Sequence, residues 1–177
     1  QSFQTTLIGD KSLSSRPMQR IVEPLSAMGA NISPPEGERL PMEIYPVDKL
    51  HSIKYSLPVA SAQVKSCIML AGLFAEGKTE IEESAVTRNH TENMFQEFNI
   101  PIEINYSNNV KNIALQKVDL IKPTNLNICG DFSSAAFFIV AALITPNSEL
   151  LIKNVGINET RIGLLHALMH MGADIEL

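Results

Sequence analysis

Hydrophobic and polar residues alternate along short stretches of this chain, and the stretches between them show helical spacing. Residues 102–105 and 113–116 have apolar side chains at every second position. This period is typical of β-strands that turn one face toward solvent. It predicts strands at 101–106 and 110–116, joined as a hairpin by a turn at Ser107-Asn108-Asn109.

The helical stretches are of two kinds. Residues 61–75 and 133–144 are apolar on almost every side, which predicts helices that are buried all round. Residues 88–98 are amphipathic, with charged residues on the outward face. The inward residues are Met94, Phe95 and Phe98. The pattern therefore predicts buried, parallel helices surrounded by half-exposed sheets, an α/β (α+β) architecture.

The predicted elements repeat with a period of about 70 residues. Helix ends are indicated at Gly29 and at Gly172, each within a Met-Gly-Ala sequence, and Asn99 occupies the matching position between them. One complete unit has the order βαβαββ. Its predicted elements are 51–57, 61–75, 79–83, 88–98, 101–106 and 110–116.

A partial unit precedes the complete one, and another follows it. The first comprises a helix at 16–28, in which Pro24 is expected to cause a kink, and strands near 31 and at 42–45. The second is predicted to contain a strand after 125, helices at 133–144 and 161–171, and strands at 150–154 and near 175–177. A polar stretch with a proline at 122–125 predicts a domain boundary, which separates residues 1–124 from residues 125–177.

Composition and charge narrow the class of protein. The 177 residues are 45% hydrophobic and carry a formal net charge of −5, so the chain can bury a core and is not intrinsically disordered. The acidic balance argues against nucleic acid or an anionic membrane as a partner. The longest apolar run, 135–144, is shorter than the roughly 20 residues that cross a bilayer.

The two cysteines and the first residues of the chain bear on its location. Cys67 and Cys129 lie among apolar residues without a CxxC spacing, so both are predicted to be reduced core residues of a cytoplasmic protein. The chain does not begin with Met, and its start does not resemble a signal peptide. We interpret the sequence as a piece of a longer protein.

Candidate chemistry lies at the predicted helix starts. If the helices run roughly parallel, these starts gather at one end of the domain and form an anion site, because each has unpaired N–H groups and a partial positive charge. The residues there are Ser14, Ser15 and Arg16; Ser61, Ala62 and Gln63; and Thr87 and Arg88. Two guanidinium groups, hydroxyls and a carboxamide would suit a phosphate or carboxylate ligand.

A purely structural interpretation of these residues stays open. Serine and threonine at helix starts are ordinary caps, and exposed arginines are ordinarily solvated. Lys65 points either into the site or to the surface, and its spacing does not decide. His166 and His170 have the spacing of metal ligands on one helical face, but nothing nearby completes a set. Spacing therefore predicts neither a metal nor a cofactor, and it locates no catalytic acid or base.

Four stretches together resemble the 5-enolpyruvylshikimate-3-phosphate (EPSP) synthases, especially the class II members. They are Gly9–Met18 (GDKSLSSRPM), Pro58–Ser66 (PVASAQVKS), Thr87–Glu92 (TRNHTE) and Gly130–Ala136 (GDFSSAA). They occur in the family's order at compatible spacing and extend over nearly the whole chain. The related UDP-N-acetylglucosamine enolpyruvyl transferases share the fold but not these stretches. Asn89 differs from the Asp that many relatives have there.

The resemblance implies an enolpyruvyl transferase-like inside-out barrel, of which this chain holds an incomplete part. Residues 1–124 would belong to the inserted substrate-binding domain and residues 125–177 to the start of the second domain. The implied reaction transfers the enolpyruvyl group of phosphoenolpyruvate to the 5-hydroxyl of shikimate 3-phosphate and releases phosphate, without a metal. It serves aromatic amino-acid biosynthesis.

The same resemblance implies roles for individual residues. Ser61, Ala62 and Gln63 are expected to contact shikimate 3-phosphate, with Gln63 also near phosphoenolpyruvate. Arg88 is expected to hold the 3-phosphate, and Arg16 the phosphoenolpyruvate. Other binding and catalytic residues of the family have no counterpart here, so the chain is expected to be inactive without the remainder of the parent chain. The alternative is a non-catalytic anion-binding or structural module built on the same repeat.

Overall fold

Two units, Gln1–Thr124 and Asn125–Leu177, make up the chain in the computed structural model, which describes residues 3–33 and 39–177. The division falls within the stretch where the sequence predicts a domain boundary. The assignment of the two units to an inserted domain and a second domain stays a prediction.

The described part of the first unit contains strands and four helices. The strands are β1 (Thr5–Leu7), β2 (Asn31–Ser33), β3 (Met42–Tyr45), β4 (Leu50–His51), β5 (Lys54–Ser56), β6 (Ala75–Glu76), β7 (Lys78–Glu83), β8 (Ile102–Ser107) and β9 (Val110–Gln116). The helices are α1 (Lys11–Ser14), α2 (Gln19–Ala27), α3 (Ala62–Gly72) and α4 (His90–Glu97). The second unit contains α5 (Phe132–Ile144) and α6 (Gly163–His170).

The complete repeat unit forms a four-stranded sheet with the order β5-β7-β9-β8. β5 and β7 are parallel, and β9 pairs antiparallel with both β7 and β8. With α3 and α4 between the strands, this is the predicted βαβαββ order. The hairpin turn is also confirmed, because Asn108 (φ 50°) and Asn109 (φ 62°) connect the paired residues Ser107 and Val110 in the left-handed conformation.

The single strand predicted at 51–57 is wrong, because the structure has two short strands there. β4 pairs with β6 and β5 pairs with β7, and the register between them shifts by one residue. Gly77 causes the shift by adopting φ 98° between β6 and β7. A side chain at that position would meet Ser52, since a Cβ atom would lie 2.4 Å from the serine Oγ.

The preceding partial unit repeats the same plan. Its sheet has the order β1-β3-β2, with both pairings antiparallel, which matches β7-β9-β8. The helix predicted at 16–28 begins only at Gln19, because the short helix α1 lies before it. The side chain of Asp10 caps α1 by accepting a hydrogen bond from the Leu13 N–H at 2.7 Å. Pro24 is buried inside α2, as the sequence places it.

The three predicted helix stops are confirmed. Gly29 (φ 91°), Asn99 (φ 55°) and Gly172 (φ 91°) all adopt the left-handed conformation directly after a helix. The next residue then donates its N–H to a carbonyl in the last helical turn, at 2.9 Å in α2, 2.8 Å in α4 and 3.0 Å in α6. All three helices thus end in the same Schellman-type motif.

The core of the first unit lies between α3, α4 and the four-stranded sheet. Its buried residues include Ile68, Met69, Ile81, Phe95 and Ile113. Met94 and Phe98 are half-buried against this core, so the amphipathic interpretation of α4 is confirmed. The expectation that α3 is buried all round is wrong at Leu70, which is 46% exposed.

The second unit departs further from its predictions. Residues 125–177, all of them described, contain no strand at 150–154 or 175–177, and Gly130 and Val155 form an isolated bridge. The expected burial of α5 is also wrong, since Phe137 is 79% and Phe138 64% exposed. The reason is that this unit has no sheet to cover the helix. None of the helices in residues 3–33 and 39–177 is long and apolar enough to cross a membrane.

The two cysteines differ in environment. Cys67 is half-buried in α3, and this burial raises the pKa of its thiol. Cys129 is exposed, so its prediction as a core residue is wrong. It lies among residues 119–131, which are all exposed, so its apolar neighbours in sequence do not become neighbours in a core.

The helix stop at Asn99 generates a stability prediction. Asn99→Ala should lower the free energy of unfolding by about 1 kcal/mol, because alanine tolerates a positive φ less well than asparagine. Asn99→Gly should match or exceed the wild type. Urea denaturation measures both, with Asn105→Ala in β8 as a control that changes stability by less than about 0.5 kcal/mol. Equal losses in the two alanine variants would contradict the role of the backbone conformation.

Candidate anion-binding site

The start of α3 presents the first candidate group. Ser61 is its N-cap, with an extended backbone (φ −142°), and its hydroxyl accepts a hydrogen bond from the Val64 N–H at 3.3 Å. The N–H groups of Ala62 and Gln63, in the first turn, have no partner within the helix. Ser61 and Ala62 are half-buried and Gln63 is exposed, so an anion can reach these groups.

The sheet brings the starts of α3 and α4 to one edge. β5 and β7 are parallel neighbours, with Ser56 opposite Glu82, and the Leu57 N–H donates to the Glu82 carbonyl at 2.9 Å. The connections to α3 and α4 therefore leave from the same end of the sheet. Arg88 precedes α4 in the second of these connections, so it lies at the same edge as Ser61-Ala62-Gln63.

Arg16 lies three residues before the start of α2, and Arg88 lies two residues before the start of α4. α2 contacts α3, and the carboxyl ends of both helices lie near β4 and β6, because the His51 N–H donates to the Met28 carbonyl at 2.8 Å. The two helices therefore run in the same direction, with Arg16 at their amino-terminal end. The common direction of α2 and α3 and the parallel pairing of β5 with β7 therefore place Arg16, Arg88 and residues 61–63 toward the same end of the first unit.

The predicted hydroxyl caps at the other two helix starts are wrong. The side chains of Ser14 and Ser15 donate to the carbonyls of Gly9 and Ser12, at 3.1 and 2.7 Å, so neither caps α2. Thr87 does not cap α4 either. Its N–H donates to Glu83 Oε1 at 2.8 Å, and its hydroxyl donates to the same oxygen. A nearby carboxylate competes successfully for these donors.

That carboxylate belongs to a buried charge cluster of Lys65, Glu83, Glu92 and Lys111. The exposed fractions of these residues are 0, 1, 1 and 4%. Lys65 Nζ lies 2.8 Å from Glu92 Oε1 and 3.3 Å from both carboxylate oxygens of Glu83. Lys111 Nζ lies 2.9 Å from the same Glu92 oxygen. The cluster connects α3, β7, α4 and β9 and has no formal net charge.

Electrostatics within the cluster favour the charged form of Glu92. Burial alone would raise the pKa of Glu92, but hydrogen bonds from Lys65 and Lys111 outweigh burial and hold this pKa below its ordinary value. Beside the cluster, the hydroxyls of Ser66 in α3 and Thr91 in α4 share a hydrogen bond of 2.6 Å. This hydrogen bond and the Lys65–Glu92 ion pair both connect α3 to the first turn of α4.

The cluster determines the direction of the Lys65 side chain, which its spacing in the sequence left open. The sequence patterns did not predict the cluster. Lys65 points neither to the surface nor into an open site, because both glutamates engage its ammonium group. A signal was present in the alternation of β7 and β9. Glu83 follows the inward Ile81, and Lys111 precedes the inward Ile113, so both charged residues point inward and pair across the strands.

Arg16 and Arg88 remain available to a ligand. Both are exposed, and within residues 3–33 and 39–177 neither forms an ion pair with a carboxylate. The same residues contain no group of three or more His, Cys, Asp or Glu arranged to hold a metal ion. His170 Nδ1 instead lies 2.7 Å from the backbone carbonyl of His166.

Comparison with known proteins identifies relatives over the whole chain. A family model described as EPSP synthase (3-phosphoshikimate 1-carboxyvinyltransferase) matches residues 1–177. The 3-phosphoshikimate 1-carboxyvinyltransferase of Legionella pneumophila (strain Lens) is 51% identical over 100% of this chain and 40% of its own length. The 3-phosphoshikimate 1-carboxyvinyltransferase of Thermus thermophilus is 50% identical over 96% of this chain and 39% of its own length. The chain therefore spans about two fifths of the length of these curated relatives.

A solved structure agrees with the fold. The EPSP synthase from Acinetobacter baumannii superimposes with a TM-score of 0.84 at 44% identity, covering 98% of this chain and 39% of that one. This similarity confirms the predicted fold class.

The charge cluster predicts a large effect of removing one member. Lys65→Met should lower the free energy of unfolding by about 3–5 kcal/mol, because two buried glutamates then share one lysine. Lys49→Met is the control, since Lys49 pairs with Glu76 at the surface and its loss should change stability by at most about 1 kcal/mol. Urea denaturation measures both. Similar small losses would show that the cluster is not a structural constraint.

A pH dependence follows from the lowered pKa of Glu92. Between that pKa and its ordinary value of 4.5, the folded state binds fewer protons than the unfolded state, so stability falls as the pH decreases. The stability difference between wild type and Glu92→Gln should therefore be largest near neutral pH and should narrow as the pH falls below about 5. Glu97→Gln, an exposed change in the same helix, should give a curve parallel to the wild type. A constant difference for Glu92→Gln would refute this.

Proposed function

This chain belongs to the EPSP synthase (3-phosphoshikimate 1-carboxyvinyltransferase) family, and on that premise we propose the activity of the protein that carries it. That protein transfers the enolpyruvyl group of phosphoenolpyruvate to the 5-hydroxyl of shikimate 3-phosphate and releases phosphate. The observation that carries the proposal is the common sheet edge at which α3 and α4 begin, with Ser61-Ala62-Gln63 and the unpaired Arg88 beside it.

Each group at this edge has a role that its chemistry supports. Ser61, Ala62 and Gln63 bind shikimate 3-phosphate through a hydroxyl, two backbone N–H groups and a carboxamide, and Gln63 also lies near phosphoenolpyruvate. Arg88 binds the 3-phosphate, for which a planar guanidinium is well suited. Arg16, which precedes α2 in the first repeat, binds phosphoenolpyruvate. The partial positive charge of the helix starts adds to these contacts.

These residues would contribute binding and orientation. Two anions repel each other, so positive groups held in place lower the free energy of bringing them together. We assign no catalytic acid or base to this chain, and we expect it to bind substrate without turnover when it is isolated from the remainder of the parent chain.

The biological setting is part of the proposal. We place the reaction in the shikimate pathway, which leads to chorismate and the aromatic amino acids, and we place the protein in the cytoplasm. The family relationship supports the pathway. The unpaired state of Cys67 and Cys129 supports a reducing compartment.

The role of Arg88 can be tested by calorimetric titration of the 177-residue chain with shikimate 3-phosphate. Arg88→Ala should weaken binding by about 10- to 100-fold, since it removes charge-assisted hydrogen bonds to the phosphate. Arg39→Ala is the matched control, because Arg39 is an exposed arginine between β2 and β3 rather than at a helix start. Equal affinities for wild type and Arg88→Ala would rule out the assigned role, and turnover by the isolated chain would contradict its expected inactivity.

A further inference from the structure

We propose that Thr87 and Glu83 form a positioning device that holds Arg88 in place for the phosphate of its ligand. The inference rests on the proposed function of Arg88. Neither residue is assigned a contact with substrate. Their role is to determine where the guanidinium lies before the ligand arrives, which lowers the entropy lost on binding.

The loop that carries Arg88 is attached to the end of β7 by hydrogen bonds. The connection between β7 and α4 begins with Ser84, Ala85 and Val86, which are all exposed. Thr87 then bonds to Glu83 Oε1 through both its backbone N–H, at 2.8 Å, and its hydroxyl. Because Arg88 is the next residue, this double hydrogen bond restricts the backbone from which its side chain extends.

The acceptor of these hydrogen bonds, Glu83, is fixed in the core. Glu83 is the last residue of β7 and is 1% exposed. It pairs across the sheet with Lys111, and both of its carboxylate oxygens lie 3.3 Å from Lys65 Nζ. Because Glu83 is held in the core by Lys65 and Lys111, its hydrogen bonds to Thr87 fix the loop relative to the sheet. A solvated side chain would not restrict the loop in this way.

The negative charge of Glu83 is balanced within the cluster. An isolated carboxylate so near a site for phosphate would repel the ligand. Lys65 and Lys111 offset the charges of Glu83 and Glu92, so the cluster presents no formal net charge to the site. Glu83 can therefore act as a strong acceptor for Thr87 without opposing the anion bound by Arg88.

Lys65 connects the Arg88 loop with the start of α3. Lys65 belongs to the first turns of α3, where its N–H donates to the Ser61 carbonyl at 3.1 Å. Its ammonium group contacts Glu83 before the Arg88 loop and Glu92 in the first turn of α4. The same lysine therefore links the start of α3, with residues 61–63, to the loop that carries Arg88.

The test is the affinity of the 177-residue chain for shikimate 3-phosphate, with each variant titrated where circular dichroism shows it folded. Thr87→Val removes the hydroxyl and keeps the β-branched shape, and binding should weaken about three- to tenfold. Thr87→Ser retains the hydroxyl and should restore the wild-type affinity. Ser56→Ala is the matched control, because it removes a hydroxyl bonded to the neighbouring Glu82 and should leave the affinity unchanged.

A second arm separates positioning from a general loss of structure. If Thr87 acts through Arg88, Thr87→Val should have no further effect on affinity in an Arg88→Ala background, so the two losses are not additive. Wild-type affinity in Thr87→Val, or additive losses in the double variant, would overturn the positioning role while leaving Arg88 as a phosphate ligand. Wild-type affinity in Arg88→Ala would instead overturn the proposed function and this inference together.

Discussion

A buried cluster of two lysines and two glutamates is the constraint on which the first unit depends. Lys65, Glu83, Glu92 and Lys111 come from α3, β7, α4 and β9, so their ion pairs determine how both helices approach the sheet. Charges removed from water are tolerated only where each meets an opposite charge at hydrogen-bond distance. Such a cluster adds little net stability over apolar packing, but it disfavours every arrangement that separates one of its members.

The two related sheets of the first unit share a topology and differ in chemistry. β7 and β9 pair Glu83 with Lys111 at the end nearest the candidate site, whereas β1 and β3 end with Leu7 opposite Met42. The loop of Arg88 is therefore bonded to a buried carboxylate. The loop of Arg16 depends on short-range hydrogen bonds made by its own side chains. A repeated backbone plan can thus present an arginine before a helix in each copy and support the two arginines differently.

Recognition of an anion needs positive groups that are in place before the ligand arrives and that no nearby carboxylate neutralises. We propose that the start of α3 and Arg88, which forms no ion pair within the described residues, meet both conditions at one edge of the sheet. The glutamates beneath them are already matched by lysines. Negative charge is therefore used for structure, while positive charge remains available for binding.

The sequence by itself determined the βαβαββ order of the complete repeat unit, the turn at Asn108 and the helix stop at Asn99, because these depend on local backbone preference and on the period of apolar residues. Its motifs likewise indicated the family and the candidate residues. Only the tertiary structure decided which charges meet: Lys65 lies 2.8 Å from Glu92, and Thr87 bonds to Glu83 instead of capping a helix. It also left α5 uncovered within its unit. Such contacts depend on how segments that are far apart in the sequence pack together. Local backbone preferences and the period of apolar residues do not determine this packing.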